Sequence, residues 1–489
     1  MKIAFLFFKD LKQSRFKLDY SYVNDYWSSK NFGAAVLRDA LNRAGIQVDV
    51  CLPEKADHYD IILVSLTSHF DVFAFGESVV NLGIWQKPRK FKVLIGGFGC
   101  QNPLMLRDWA DYAWFGRCEN NIVDLVRNLG DYEHNSLMDL RNVKPVEINQ
   151  TDKFYPHTVR IDFNSKEEFK EGMVGCPNKC FYCHYTFSRK KIGKERYIYN
   201  ELGGASDEIE QCDSSLYDPL KPHLLTAIDG WSERLRYAVN RRISNEQFSE
   251  FLRTIAAKTE CSGIAMKLCN VTAFETESDE DYYEFVDVVS KLDGQLLKPI
   301  TITVQSTPLT PSPVTPAQYA PILLDFDIHN KYKNKRRIFE GHNIKVSHSM
   351  YLDSAFMHFL SGFAIRYTDK YDSLYRLIIS DKSFKQLKHS EKIEFIQKKY
   401  DINDIIREYS TEEPLPYWFL NSYVDVRRLA IMRKKMLKAL HADYKFLEKP
   451  RQQELSDMMD FLNIIGASLK GKTNKQKKLE KYKHFLDNL

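Results

Sequence analysis

Gly175-Cys-Pro-Asn-Lys-Cys-Phe-Tyr-Cys-His184 puts three thiols on one short loop. Three residues separate Cys176 from Cys180 and two separate Cys180 from Cys183. That spacing lets the sulfurs converge on one side of a cubane iron–sulfur cluster, whose fourth iron is left without a protein ligand. An open metal position is where a substrate or cosubstrate binds, by the logic that separates catalytic from structural zinc sites. The loop therefore reads as catalytic. A zinc knuckle would need a fourth ligand at zinc-like spacing, and His184, next to Cys183, cannot easily turn toward the same metal. Disulfides fit less well. The nine cysteines accompany a beginning, Met1-Lys2 and then Ile3 to Phe8 ending in Lys9-Asp10, that has the length of a strand and lacks a secretory signal. A reducing cytoplasm is the expectation.

Upstream of the loop, roughly the first 130 residues alternate short apolar runs with helical patterns, the mark of an α/β layer with a parallel sheet. Strands are expected at Ile3 to Phe8, Val48 to Leu52, Ile61 to Leu66, Val93 to Ile95 and Tyr112 to Phe115. Helices are expected at Phe32 to Ala44, Phe73 to Leu82 and Asn121 to Leu129. In a doubly wound sheet of this kind the ligand crevice lies beyond the carboxyl ends of the strands. The sequence places Ser65-Leu-Thr67 and Gly96-Gly97 there, residues that leave room and offer hydrogen bonds. A linker with Pro145 and Pro156 leads on to a strand expected at Thr158 to Phe163, before the cysteine loop. Alternation resumes with strands at His223 to Ile228, Gly263 to Val271 and Ile300 to Gln305, and helices through Arg236 to Asn240 and over Asp279 to Leu292. The four prolines in Gln305 to Pro316, Pro308, Pro311, Pro313 and Pro316, cannot donate to a ladder and predict a loop.

The chain has 489 residues, 44% hydrophobic and 28% charged, enough for two or three domains with their own cores. No apolar run approaches the roughly 18 residues of a membrane-spanning helix. A net charge of +5 does not by itself point to nucleic acid. The basic clusters Arg427-Arg428, Arg433-Lys434-Lys435 and 470–483 read as solvated helix faces. From about residue 335 the chain turns helical, charged and aromatic. His342, His348 and His358 are too irregularly spaced to share a metal along one helix and read as structural.

The cysteine motif, with the aromatic Tyr182 between its last two cysteines, resembles the radical S-adenosylmethionine (SAM) superfamily. The resemblance implies a [4Fe-4S] cluster held by Cys176, Cys180 and Cys183, with SAM on the open iron and reductive cleavage to a 5'-deoxyadenosyl radical. Asp60 to Thr67, Val93 to Gly97 and Ala110 to Glu119 look like successive segments of the cobalamin-binding domain that precedes many such enzymes. Ser65, Thr67, Gly96 and Gly97 are its implied contacts. The Asp-x-His-x-x-Gly motif is absent, Asp327-Ile-His329 lacking the glycine, so cobalamin is expected without a histidine ligand. Ala227 to Arg236, with Asn240-Arg241, is similar to a strand-end turn and helix where a hydroxyl and an acid approach SAM. Ser232 and Glu233 take that role or simply cap the helix. Met266 to Thr276 resembles the family's Gly-Leu-Pro-Gly-Glu-Thr strand end, matching at Glu275 and Thr276 and departing at Ala273 and Phe274. The Gly-Gly-Glu tripeptide has no clear copy, Gly203-Gly204 being followed by Ala205.

The implied architecture is α/β: a Rossmann-like cobalamin-binding-type domain over 1–140, a partial (β/α)6 barrel over 150–335 and a helical region over 336–489. The implied activity is methyl transfer to an unactivated carbon of a small molecule or biosynthetic intermediate, with a flavodoxin- or ferredoxin-type electron donor. Relatives also carry out ring formation, ring contraction and C–H oxidation. A methylthiotransferase would use Cys51, Cys100 and Cys118 for a second cluster, although that family places its first cysteine just after the first strand. An iron–sulfur nucleic-acid-binding or scaffold protein is the non-enzymatic alternative, and it predicts salt-sensitive binding.

Overall fold

The computed structural model describes residues 1–7, 32–160, 168–176, 178–199, 207–209, 212–324, 337–350 and 354–441. The readings placed on Phe8 to Asp10, Gly203-Gly204, Asp327 to His329 and 470–483 lie outside them.

Short apolar runs buried on both faces make the first sheet, as parallel α/β sheets require. Its strands lie in the order Val48–Val50, Ile3–Leu6, Ile61–Ser65, Lys92–Gly96 and Tyr112–Trp114, all parallel, with Leu137–Asp139 antiparallel at the edge. Ile3, Phe5, Ile61, Leu63 and Leu94 pack under helices Phe32–Arg43 and Ile122–Arg127. Ala4, Leu6, Ile62, Val64 and Ile95 face helix Asp71–Val79 on the other side. The strand order reverses between Ile3–Leu6 and Ile61–Ser65, the switch point at which open α/β sheets bind ligands.

The strand that enters the cysteine loop is Glu168–Val174, not the segment Thr158 to Phe163, of which only Val159–Arg160 is a described strand. Glu168–Val174 pairs antiparallel with both Val159–Arg160 and Ile192–Tyr199, in a three-stranded sheet separate from the parallel one. The cysteine loop is thus the connection of a hairpin. A second six-stranded sheet follows in the order Asp207–Ile209, His223–Ala227, Ile264–Thr272, Ile300–Pro308 and Ile344–Met350, parallel throughout, with Arg337–Glu340 antiparallel at the edge. The expected boundary at 335/336 therefore falls inside this sheet, because Ile344–Met350 finds its hydrogen-bond partner in Ile300–Pro308. That strand also runs past Gln305 to Pro308, since the ladder needs only a carbonyl from a terminal proline and Leu309 N–H donates to Thr272 O. Met266, Leu268, Ile302 and Val304 bury one face with Phe248, Leu252 and Phe285 of helices Asn245–Lys258 and Asp279–Leu292. Ala265, Lys267, Thr301, Thr303 and Lys345 leave the other face exposed.

The region after the sheet is mainly helical and packs back on the first domain. Tyr375 of helix Asp372–Ser380 donates to Val72 O at 2.8 Å, over Gly76. Asn102 Nδ2 donates to Ile365 O and Tyr367 O, both at 2.9 Å. Arg366, fully buried, donates to the carbonyls of Ile405, Arg407, Gln318 and Ala320 and so binds the proline-rich exit to the carboxyl-terminal helices. No described helix is long and apolar enough to cross a membrane.

Arg366→Met strands those carbonyls, and a loss of about 3 kcal/mol or more is expected as a lower denaturant midpoint at unchanged slope. His69 supplies a pH dependence. Its Nε2 is shut off from solvent, and burial lowers its pKa to about 4. The unfolded histidine titrates near ~6.5, so it takes up its proton first, and stability present above that pH is lost as pH falls toward 4. Melting temperature is expected to decline across this window, and His69→Gln to flatten the decline.

Candidate active site

At the switch point of the first sheet, a cavity of about 250 Å³ opens at the carboxyl ends of its strands. Ser65, Thr67, Gly96 and Gly97 are on its wall. Thr67 donates both its N–H (2.7 Å) and its hydroxyl (3.0 Å) to Asp71, so its side chain is committed to shaping the turn. Gly97 has φ +106°, and a Cβ there would stand 2.4 Å from Leu66 O; no other residue lets the chain pass so close. Arg117 closes one side. Its guanidinium donates to Glu119 at 2.5 Å and to both oxygens of Glu171 at 2.5 and 2.7 Å, bolting the first domain to the hairpin strand. This pairing spans 54 residues and had no local signal. The same cavity is also walled by His184, next to Cys183, and by Ser188 and Arg189 at the end of the helix His184–Ser188. Phe98, still 41% exposed, meets His184 edge-on at 5.4 Å across the seam.

The cysteine loop has little regular structure of its own, so its backbone groups are satisfied from elsewhere. Gly175, at φ +73°, turns out of the strand where a Cβ would meet Lys190 O at 2.9 Å. Phe181 N–H donates to Val239 O, Ala317 N–H to Phe181 O, and Thr186 Oγ1 to Cys176 O. His184 Nδ1 pairs with Pro313 O at 2.9 Å, which seats the proline-rich segment on the loop, and burial lowers the imidazole to a pKa of about 4. Burial pushes the Cys180 thiol up to about 12 against the pull of Arg241, whose Nη1 is 3.7 Å from its sulfur. Cys183 is also raised by burial, opposed by the Thr186 and Tyr185 N–H groups. The neighbouring Cys176 raises both of them, and Cys183 raises Cys180 further. Tyr182 lies beside Asp229 and Arg241, its hydroxyl raised by burial.

Among the described residues no three His, Cys, Asp or Glu side chains stand close enough to share one metal ion. Ligands at separate corners of a cubane each hold their own iron and sit farther apart than the ligands of one ion. Cys180 and Cys183, already supplied with N–H donors, suit such a cluster, because bound iron keeps thiolates ionised where burial alone would not.

The other carried-over residues are engaged in the fold. Ser232 is the N-cap of helix Glu233–Ala238: its hydroxyl accepts from Leu235 N–H and donates to Asp281 at 2.5 Å. Glu233 accepts from Asn245 N–H at 2.8 Å. Glu275 pairs with the buried Arg433, and Thr276 donates to Leu440 O at 2.8 Å, so both are tied to helix Val426–Leu440. Ala273, where the family pattern has Pro, adopts φ +60°. Cys51, Cys100 and Cys118 are buried free thiols raised by burial, and only the last two border the cavity. His348 Nε2 pairs with Ser306 Oγ at 3.0 Å, and the His358 ring bridges Leu309 O and Leu323 O.

No protein-family model matches this chain, and no curated protein matches it. Among solved structures it is similar at 12% identity to the cobalamin-dependent S-adenosylmethionine radical enzyme OxsB. In the apo, selenomethionine-labelled form the match covers all of this chain and 70% of that one, with a TM-score of 0.28. The forms with aqua-cobalamin and S-adenosylmethionine, and with aqua-cobalamin alone, give the same identity and TM-score over 71% of their length. At that TM-score the likeness carries no argument about this chain.

Gly97→Ala forces a left-handed, crowded alanine, for an expected cost of about 2 kcal/mol or more. Ligand loading of the cavity is expected to fall with it, read as a reduced thermal shift on adding the ligand.

Proposed function

We propose that this chain is a radical SAM enzyme that also binds cobalamin and methylates an unactivated carbon of a small-molecule or biosynthetic-intermediate substrate. One observation carries the reading: a single cavity runs from the carboxyl ends of the first sheet to the residues immediately after Cys183. A cofactor held by the first domain there lies against the cysteine loop. When bound, the cluster would supply the electron that cleaves one SAM, and cobalamin would carry the methyl group of a second, which leaves as S-adenosylhomocysteine.

Cys176, Cys180 and Cys183 would hold the cluster, with Arg241 and the Tyr185 and Thr186 N–H groups donating to the thiolates. Ser65 and the Gly96-Gly97 backbone would hold cobalamin, with Glu119 and Arg189 on the same cavity wall. The cavity there, about 250 Å³ with Phe98 on its wall, would admit part of that cofactor. The proline-rich segment, fixed to the loop through Pro313 and Ala317, would exclude water from the site. An electron donor of flavodoxin or ferredoxin type would reduce the cluster.

Anaerobic reconstitution, iron analysis and mass spectrometry of SAM products test the proposal. About four irons per chain are expected. S-adenosylhomocysteine together with 5'-deoxyadenosine is expected with cobalamin present. 5'-Deoxyadenosine alone would replace methylation by another radical reaction. Cys180→Ala is expected to abolish both products; full reductive cleavage by that variant would sink the site assignment.

A further inference from the structure

A charged pair, Arg241 and Asp229, stands beside the cysteine loop, and its effect on the electron the cluster takes up goes beyond the contact described above. Arg241 is 7% exposed, with Nη1 at 3.7 Å from Cys180 Sγ and Nε at 2.8 Å from Asp229 Oδ2. Asp229 is 3% exposed. The backbone is bent to bring them there. Asp229, at φ +56°, ends the turn after strand His223–Ala227, and Asn240, at φ +60°, precedes Arg241. Asn240 Nδ2 donates to Lys179 O at 3.0 Å and Asn178 O at 3.3 Å, inside the cysteine loop, where Lys179 itself has φ +46°. Left-handed conformations at three non-glycine residues persist where the surroundings hold them. Here they hold a guanidinium against a sulfur.

We propose that Arg241 is a positioning residue that orients the Cys180 thiolate and, with Asp229 as its counter-charge, sets the reduction potential of the cluster. The inference rests on the cluster reading above. Reduction adds one electron and no proton, so the cluster and its thiolates become more negative. A buried N–H donor carrying positive charge stabilises that reduced form more than the oxidised one. The Asp229 carboxylate, 2.8 Å from Nε of the same guanidinium, cancels part of the effect. The two residues therefore pull the potential in opposite directions.

Potentiometric titration of the reconstituted full-length protein without SAM, followed by electron paramagnetic resonance of the reduced cluster, tests this. Omitting SAM separates an effect on the cluster from any effect on cosubstrate binding. Arg241→Gln is expected to disfavour reduction tenfold or more, a fall of about 59 mV or greater for one electron. Asp229→Asn is expected to raise the potential, and Arg241→Lys, which keeps the charge, to stay nearer wild type than Arg241→Gln. A purely structural role for the pair would give no such opposition of sign. If variants with wild-type iron content keep the wild-type potential, or move it in the same direction, the inference is overturned while the cluster reading stands. If Arg241→Gln does not retain iron, the sign of the Asp229→Asn shift decides. Wild-type protein that holds no iron overturns the reading and the inference together.

Discussion

The satisfaction of an irregular loop's backbone by segments distant in sequence is the constraint on which the rest of this structure depends. Within the described residues of 175–183 the loop's own pairing is short-range, Cys183 N–H to Cys180 O, while Gly175, Asn178, Cys180 and Phe181 are buried. Val239 and Asn240 meet the loop and its flank from one segment, and Pro313 and Ala317 meet them from another, the proline-rich exit of the second sheet. A change in any of these four contacts alters the place of the thiols as well as the stability of the chain.

The same logic explains the carboxyl-terminal region, which has no chemistry of its own in the sequence. Its helices cover the outer face of the first domain through Tyr375 and Phe363, and through Arg366 they pin the segment that leaves the second sheet. Strand Leu420–Asn421 pairs with Val146–Glu147 in the linker. One contiguous core therefore runs from the first sheet to helix Val426–Leu440. The two halves that form the cavity wall are held by packing on a third, so the cavity's shape is a property of the whole chain. The buried ion pairs add specificity more than stability. Arg117 with Glu119 and Glu171 fixes how the hairpin meets the first sheet, at the cost of taking three charges from water.

Periodicity carried the first domain well, because strands of three to five apolar residues and helices closed by polar turns are local properties. It failed around the cysteine loop. Glu168–Val174 reads Glu-Phe-Lys-Glu-Gly-Met-Val, too charged to announce a strand, and its pairing with Ile192–Tyr199 is settled across the loop. The strand Ile344–Met350 was hidden likewise: its Lys and Ser residues belong to the exposed face of the sheet and its His348 to a buried contact with Ser306. Ser232, Glu275 and Thr276 were legible as polar strand-end residues, while their occupation by Asp281, Arg433 and Leu440 was not.

By itself the sequence determined the three-thiol loop, the doubly wound order of the first domain and the glycine and hydroxyl residues at its strand ends, since spacing and short-range periodicity encode all three. Only the tertiary structure decided that the loop sits in a hairpin, that its flank closes the first domain's cavity, and that Arg241 and Asp229 stand behind Cys180. Those are contacts between residues dozens to hundreds of positions apart. Their partners are chosen by packing and by the need to pair every buried polar group, and no local pattern records that choice.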